Sequence, residues 1–448
     1  MPISKEFTSL EKSNVKLNLT IPHEDVLSQY NEMMKEHTKN IQLPGFRKGK
    51  VPVNVLERKY GEALKQEAVG KIVEKTLGEV FDSKEMSKYE KPLPYARPQM
   101  QEESKMEFGS DLTLSLVYDV MPKITIGQWK ELEVEVPQVK VLDEDILREL
   151  ELVRERNSYV LDREEDSKAQ ESDVVTISYF ETGEDGGELP NTRRDDFVFT
   201  LGSKSNAYQF DDEIIGMKKG ETKEFTKARP ENGEAVKLNV TLNALKEKKI
   251  PDLDDELAQD VDEKFNTLDD LKTSIRERLE ENLSARIRKV TIEKLLEKIK
   301  ETTPLTLPES MVRAELDGRV RSLAGQFGTD TNKIMEMLAQ TDGGLDNIEK
   351  NWRPQAEQAL KSNLIIDTLI EDNQIKADDE DIENEFKKIS LETGASFEDV
   401  ENQYSNDRAI DYLKETIKER KLFDLLLSEN TTKQGIELKY IDFLGNNG

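Results

Sequence analysis

A short segment near the N-terminus combines one aromatic and three basic side chains with two glycines and a proline. Its sequence is Gly45-Phe46-Arg47-Lys48-Gly49-Lys50-Val51-Pro52. Glycine permits backbone conformations with positive φ and proline stiffens the chain, so the segment is typical of a compact loop. A phenylalanine exposed beside arginine and lysine would suit a surface that is partly apolar and partly rich in phosphate. The alternative is a polar loop whose phenylalanine folds back onto its own domain.

The rest of the sequence offers little conventional catalytic chemistry. It contains no cysteine and only two histidines, His23 and His37, which we interpret as solvated residues at the ends of a predicted helix. It lacks a glycine-rich phosphate loop and a Gly-x-Ser-x-Gly nucleophile segment. The acidic clusters at 252–256 and 378–385 lack the pattern of a calcium loop, so they indicate helix starts. We therefore expect no metal and no cofactor.

The segment from Gly45 to Pro52 matches the Gly-Phe-Arg-x-Gly-x-x-Pro motif with which the trigger factor family of bacterial chaperones docks on the ribosome. The sequence resembles this family over nearly its full length. The resemblance implies that Phe46 inserts into an apolar crevice of a large-subunit ribosomal protein beside the tunnel exit. It also implies that Arg47 and Lys48 contact acidic side chains or ribosomal RNA phosphates. The implied docking residues are Gly45, Phe46, Arg47, Lys48, Gly49 and Pro52.

Charge is distributed unevenly along the 448 residues, whose net charge is -28. The whole sequence has 65 basic and 93 acidic side chains. Residues 1–117 carry 18 of each, so residues 118–448 carry the remaining 47 basic and 75 acidic side chains. This asymmetry indicates one end that can approach nucleic acid and a remainder that nucleic acid repels. Because neither a signal peptide nor a run of about 18 apolar residues occurs, we expect no membrane partner and a cytoplasmic location.

The elements around the docking motif predict an α+β domain over residues 1–118. Strict alternation of apolar residues indicates a strand, and apolar residues at turn spacing indicate helices. The docking loop lies between the two helices, and Pro52 is well placed as a first helical residue. The predicted elements are a strand at 14–21, a helix from Pro22 to about His37, a helix at about 61–81, and extended segments near Tyr95 and at 112–118.

Residues 119–158 predict an extended and helical connector. Its charged helix is expected from Asp143 to about Asn157, and we interpret the segment as a spacer rather than a core. From residue 249 to 448 the pattern is helical, with one apolar stripe over roughly 30 residues that starts at Leu271. Thr267 and Asp270 have the spacing of a capping box at the start of this helix.

Residues 159–248 predict an antiparallel sheet with one short helix, and they resemble the FKBP-type prolyl isomerase fold that trigger factors carry. The resemblance rests on the segments 175–179, 197–202 and 216–221. Rotation about an X-Pro bond has a barrier of about 18–20 kcal/mol, which an apolar pocket that desolvates the imide can lower. With Phe210 as the floor, the resemblance implies a catalytic pocket lined by Tyr179, Phe197, Phe199, Phe210 and Leu238.

Three departures from this pattern leave the isomerase activity open. The family's Phe-Asp/Glu pair after the first hairpin is replaced by Leu189-Pro190, so the acidic group is missing. The Val-Ile pair before the floor aromatic is replaced by Asn206-Ala207. The flap that brings a tyrosine over the substrate is shortened to residues 228–234. The aromatic residues then form either a weak active pocket or only the core of an FKBP-like domain.

The helical part resembles the arms and client-binding cradle of the family. Long amphipathic helices around an open concavity leave apolar residues uncovered, and methionine suits promiscuous contacts because it is flexible and polarizable. For each such residue the alternative is an ordinary place in the core. The expected client-binding residues are Met311, Leu316, Val320, Leu323, Met335 and Met337.

These features predict an ATP-independent, ribosome-associated chaperone with α+β and helical domains. Its expected partners are the large ribosomal subunit near the tunnel exit, both protein and ribosomal RNA, and nascent unfolded polypeptides. One rival is a prolyl isomerase that acts as a folding enzyme. A second rival is an interaction protein that binds specific folded partners. The sequence leaves open whether the free protein forms a homodimer.

Overall fold

The computed structural model describes residues 4–41, 43, 46–47, 50–83, 86–101, 110–183, 186–230, 233–340, 346 and 348–445. The chain forms two compact units. One unit comprises Met1–Glu135 and Val290–Lys433, and the other comprises Val136–Lys289 and Gln434–Gly448. These limits differ from the four domains expected from the sequence, whose boundaries stay a prediction. The expected fold class, α+β parts followed by a helical C-terminal part, is confirmed.

The N-terminal part of the first unit is an antiparallel sheet with two helices. The strand order is β1-β2-β4-β3, and β2 and β4 pair over their full lengths. Alternate residues of both strands are buried, among them Leu17 and Leu116, and they pack with Tyr30 and Leu56 of the helices. The elements are β1 (Ser4–Ser9), β2 (Asn14–Ile21), α1 (His23–Asn40), α2 (Val53–Phe81), β3 (Gln99–Met100) and β4 (Leu112–Asp119).

Two expectations for this sheet and its helices need correction. Pro52 is not the first helical residue, because its backbone is extended at φ -64 and ψ 141 and α2 begins at Val53. The helix therefore starts eight residues before the expected Gly61. Its first two turns escaped prediction because Leu56 is the only fully buried side chain between residues 53 and 60. The strand expected near Tyr95 is instead the short β3.

The segment expected to be a spacer contributes to a hydrophobic core. It contains β5 (Glu133–Gln138) and α3 (Asp143–Arg156), so its predicted helix is confirmed. Ile146 and Leu150 of α3 are buried with residues of the later helical region such as Leu271 and Ile275. The interpretation as a spacer without a core is therefore wrong for α3.

Residues 159–249 form a five-stranded antiparallel sheet with one short helix. The long strand β10 pairs with β6, β7 and β9, and β7 also pairs with β8. Fully buried Val175 and Ile177 of β7 face Leu238, Val240 and Leu242 of β10 in the core. The elements are β6 (Tyr159–Asp162), β7 (Val174–Thr182), β8 (Arg194–Thr200), α4 (Asp211–Ile214), β9 (Thr222–Ala228) and β10 (Ala235–Lys249).

The C-terminal region is helical with one strand that the sequence did not predict. This strand, β11 (Thr431–Glu437), pairs with β5. A π-helical turn at Ile348–Trp352 precedes α9. The helices are α5 (Asp255–Val261), α6 (Leu268–Thr302), α7 (Glu309–Gln326), α8 (Thr331–Gln340), α9 (Arg353–Asp372), α10 (Asp379–Thr393), α11 (Phe397–Gln403), α12 (Asp407–Glu429) and α13 (Tyr440–Leu444).

The predicted helix starts are confirmed by their hydrogen bonds. The Thr267 amide donates to the Asp270 carboxylate at 2.9 Å, and the Asp270 amide donates to the Thr267 hydroxyl at 3.2 Å. The acidic clusters also begin helices, since Asp254 accepts from the amide of Leu257 in α5 and Asp378 forms a capping box in α10. Among the described residues, no helix is long and apolar enough to cross a membrane.

Candidate functional site

The docking loop lies between α1 and α2 and is held at both ends by buried residues. Leu43 and Val51 pack into the core of the N-terminal sheet. The amide of Phe46 donates to the carbonyl of Leu43 at 3.0 Å, and the amide of Lys50 donates to the carbonyl of Arg47 at 2.9 Å. These two hydrogen bonds and the two apolar anchors limit the positions that Phe46 and Arg47 can take.

Phe46 and Arg47 are exposed at this loop. The phenylalanine retains 38% of its accessible surface, although burial of such a ring would be favourable. Within the part of the chain that the structure describes, no acidic side chain pairs with Arg47. Three of the expected docking residues, Gly45, Lys48 and Gly49, lie outside the described residues.

The first turns of α2 extend the positive charge directly after the loop. Arg58 and Lys59 are exposed, and among the described residues neither has an acidic partner. The Lys59 ammonium lies 5.4 Å from the ring centroid of Tyr60, which is also exposed. The loop and this helix end therefore present aromatic and cationic groups, and the carboxylates of Glu57 and Glu62 on the same turns do not pair with Arg58 or Lys59 among the described residues.

The FKBP-like sheet brings the five expected pocket residues into one cluster. Phe210 is fully buried, and its ring centroid lies 5.4 Å from that of Tyr179 and 6.0 Å from that of Phe199. Phe197 lies 6.0 Å from Tyr179, and Leu238 is fully buried in the same core. Tyr179 and Phe197 keep part of their surface exposed, so they form the accessible rim.

Two further aromatic residues complete the cluster, and sequence reasoning missed both. The ring of Tyr208 stacks on Phe210 with an interplanar angle of 11° and a centroid distance of 6.3 Å. Phe225 of β9 meets Phe210 edge to face at 6.0 Å. Tyr208 could have been predicted as a member of the cluster, because it lies two residues before Phe210, the expected floor. Phe225 was missed because β9 itself was not predicted.

A buried carboxylate lies beside these rings. Glu181 of β7 is 3% exposed, accepts a hydrogen bond from the Tyr208 hydroxyl at 2.7 Å and pairs with the Arg229 guanidinium. The hydrogen bonds from Arg229, followed by the one from Tyr208, lower the pKa of Glu181 although burial opposes the shift. Burial, followed by the bond to Glu181, raises the pKa of Tyr208 to about 12. At neutral pH the carboxylate is therefore ionised and the phenol is protonated.

Three comparisons with known proteins bear on these sites. Family profiles described as "Bacterial trigger factor protein (TF)" and its "C-terminus" match residues 3–153 and 267–428, and "FKBP-type peptidyl-prolyl cis-trans isomerase" matches residues 165–234. A relative named Trigger factor from Treponema denticola is 38% identical over 99% of this chain and 100% of its own. Relatives of that name from Treponema pallidum (strain Nichols) and Borrelia turicatae are 37% and 31% identical, each over 99% of both chains.

This chain belongs to the trigger factor family. A solved structure described as "Promiscuous Substrate Recognition in Folding and Assembly Activities of the Trigger Factor Chaperone" shares the fold, with a TM-score of 0.57 and 22% identity over 95% of this chain and 99% of the other. The chain is a chaperone of this family with an FKBP-type domain. Trigger factors associate with ribosomes and bind nascent chains.

The six client-binding residues expected from the trigger factor resemblance differ in their exposure. Met311, Leu316 and Val320 are buried in three small cores of the first unit. These three therefore offer no surface to a client in this conformation, in agreement with the alternative of an ordinary core position. Leu323 and Met335 are partly buried in the α7–α8 core, and Met337 is 55% exposed.

Proposed function

We propose that the chain docks on the large ribosomal subunit beside the tunnel exit through Phe46, Arg47 and Lys48. The observation that carries this proposal is the exposed ring of Phe46 beside the guanidinium of Arg47, which has no acidic partner among the described residues, on a loop with two buried anchors. In this proposal the ring enters an apolar crevice, and the cations contact acidic side chains or ribosomal RNA phosphates. We assign docking to residues 1–118, and a cytoplasmic location goes with it.

Co-sedimentation with ribosomes tests the docking proposal. The variant Phe46→Ala, Arg47→Ala, Lys48→Ala should lose co-sedimentation while its circular dichroism and melting temperature stay those of the wild type. A matched control replaces one exposed aromatic and two exposed cations elsewhere in the first unit, Tyr95→Ala, Lys75→Ala and Arg97→Ala. Undiminished co-sedimentation of the loop variant, or an equal loss in the control, contradicts the proposal.

After docking, the chain shelters nascent unfolded segments without ATP, and we assign this contact to the helical region 249–448. Because Met311, Leu316 and Val320 are buried, they are poor candidates for client contact. The exposed Met337 on α8 is therefore the first residue to test. A photo-cross-linker at position 337 should capture nascent chains on stalled ribosomes, whereas one at the buried position 320 should not. Equal capture at both positions argues against a surface at α8.

A second candidate function is prolyl isomerisation in the domain that we assign to residues 159–248. Tyr179 and Phe199 pack on the buried ring of Phe210, and Phe197 packs on both of them. This cluster favours isomerisation, because such a pocket can desolvate an X-Pro imide. Proline-limited refolding of an unfolded protein measures this activity. Phe210→Leu, which retains most of the apolar volume, should slow the catalysed reaction strongly, while Val198→Ala on the exposed face of β8 should not.

A further inference from the structure

Where an FKBP-type domain has its flap, only the six residues 229–234 separate β9 from β10. The amide of Arg229 donates to the carbonyl of Glu234 at 2.8 Å, and the amide of Gly233 donates to the carbonyl of Arg229 at 2.9 Å. Gly233 has a φ of +73°, a conformation that glycine adopts without strain. The segment 229–234 contains no tyrosine, so a tyrosine over the aromatic cluster must come from elsewhere in the domain.

The side chain of Arg229 leaves this turn and reaches the buried carboxylate of Glu181. The guanidinium Nε and Nη2 donate to the two carboxylate oxygens at 3.1 and 2.5 Å, which is a bidentate geometry. Bidentate pairs fix orientation as well as distance. The pair therefore anchors the β9–β10 turn against the end of β7.

The same carboxylate fixes Tyr208, which lies in the segment between β8 and α4. Its hydroxyl donates to Glu181 at 2.7 Å, and its ring stacks on Phe210 and meets Tyr179 edge to face at 6.0 Å. Because its hydroxyl is bonded to Glu181 and its face packs on Phe210, the ring of Tyr208 cannot turn away from the cluster without breaking the hydrogen bond. Tyr208 remains partly exposed, so one side of the ring is available to a bound segment.

A buried ion pair is weak evidence of stabilisation, because apolar residues of similar volume often serve stability as well or better. Its better-attested use is to fix one arrangement among several. Here Glu181 joins three separate segments, the end of β7, the loop before α4 and the shortened turn. All three meet at Tyr208, whose ring contacts Tyr179 and Phe210 of the aromatic cluster and is partly exposed.

We propose that Tyr208, Glu181 and Arg229 form a substitute closure of the aromatic pocket, in which Glu181 and Arg229 position the Tyr208 ring against an X-Pro segment of a client. Tyr208 supplies the tyrosine that the shortened flap no longer brings, and Glu181 supplies an acid in place of the one absent at Leu189-Pro190. The ligand class is an unfolded peptide with a proline. This inference rests on the pocket described for the second candidate function.

The test uses the full chain and a chromogenic Ala-Leu-Pro-Phe peptide, with isomerisation kinetics and calorimetric Kd as separate readouts. Tyr208→Phe keeps the ring and removes the hydroxyl, so we expect Kd and KM to rise several-fold while kcat changes less. Arg229→Ala should have a similar effect, and Arg229→Lys should restore part of the affinity. The control Arg193→Ala removes an exposed, ion-paired arginine of the same domain and should leave both constants unchanged.

The outcomes separate the closure from the catalytic proposal. Peptide binding by the wild type without isomerisation, weakened in Tyr208→Phe and Arg229→Ala, supports the closure and removes the isomerase function. Wild-type constants in both variants overturn the closure and leave a purely structural ion pair. Absence of peptide binding by the wild type overturns the closure as well, whereas ribosome docking is judged separately by co-sedimentation. Should Arg229→Ala unfold the domain, Tyr208→Phe alone decides.

Discussion

Phe46 and Phe210 show that the surroundings of a phenylalanine decide whether it serves folding or binding. Phe210 is surrounded by four aromatic rings with centroids 5.4 to 6.3 Å away and has no exposed surface. Its truncation to alanine would cost about 3–5 kcal/mol of folding stability, so catalysis and folding must be measured separately in any variant. Phe46 has no such shell among the described residues, and its truncation should affect binding rather than stability.

Glu181 yields a pH prediction with a definite sign. Its pKa is lowered from the usual 4.5, chiefly by the hydrogen bonds from Arg229. The stabilisation is therefore fully present above pH 4.5 and is lost as the pH falls through the lower folded-state value. Because Glu181→Gln removes the negative charge that Arg229 and Tyr208 contact, it should destabilise the domain at pH 7 and do so progressively less below pH 4.5.

Hydrogen–deuterium exchange of β7 and β10 peptides, corrected for intrinsic rates, measures this difference between wild type and Glu181→Gln. The control Glu165→Gln changes an exposed carboxylate of the same domain and should show no such pH dependence. A difference that stays constant from pH 7 to pH 3.5 would contradict the assignment of the lowered pKa to the pair.

At the level of the element, helix α6 is fixed by its start as well as by its apolar stripe. Its 35 residues begin at a capping box between Thr267 and Asp270, which satisfies amides that have no partner within the helix. The hydrogen bonds from Thr267 and from the Asn266 amide hold the pKa of Asp270 below its usual value. The first turn of α6 should therefore fray less than that of a helix without such a cap.

Thr267→Ala removes the hydroxyl acceptor of this box and should destabilise the first turn of α6 by about 1 kcal/mol, roughly a fivefold loss of protection from exchange. Exchange of the amides of residues 268–271 is the measurement. Thr273→Ala is the control, because this threonine lies inside the helix and its hydroxyl only donates to the carbonyl of Asp269. A loss of protection in the control equal to that in Thr267→Ala would show that the cap has no special effect.

Elements with a regular apolar pattern could be predicted from the sequence, and elements without one could not. β2 alternates buried and less buried residues along its whole length, so its limits were predicted without error. β9 and β11 are mostly exposed, and their existence depends on pairing with distant strands rather than on their own residues. The same reason explains the missed Glu181, since its partners Tyr208 and Arg229 come close only through the tertiary fold.

For the whole molecule, the distribution of charge decides which end can approach RNA. Residues 1–117 are electrically balanced, whereas the remainder carries the entire net charge of -28. Within the balanced part, Arg47, Arg58 and Lys59 are exposed and lack acidic partners among the described residues, which suits contact with phosphate. In the proposed docking, RNA phosphates would repel the acidic remainder, which favours contact through the N-terminal part.

Ribosome affinity should therefore depend on salt in a way that separates the two halves of the docking motif. If Arg47 and Lys48 each neutralise one phosphate, the plot of log K against log salt has a slope of about -1.4 to -1.8, made shallower by screening of the acidic remainder. Arg47→Ala should reduce the magnitude of this slope by about 0.7–0.9.

Phe46→Ala removes an apolar contact and should lower the affinity equally at every salt concentration, so its line runs parallel to that of the wild type. Equilibrium binding between 50 and roughly 300 mM potassium chloride measures both effects. An unchanged slope in Arg47→Ala would place this arginine away from phosphate, and a changed slope in Phe46→Ala would mean that the ring acts by orienting the cations.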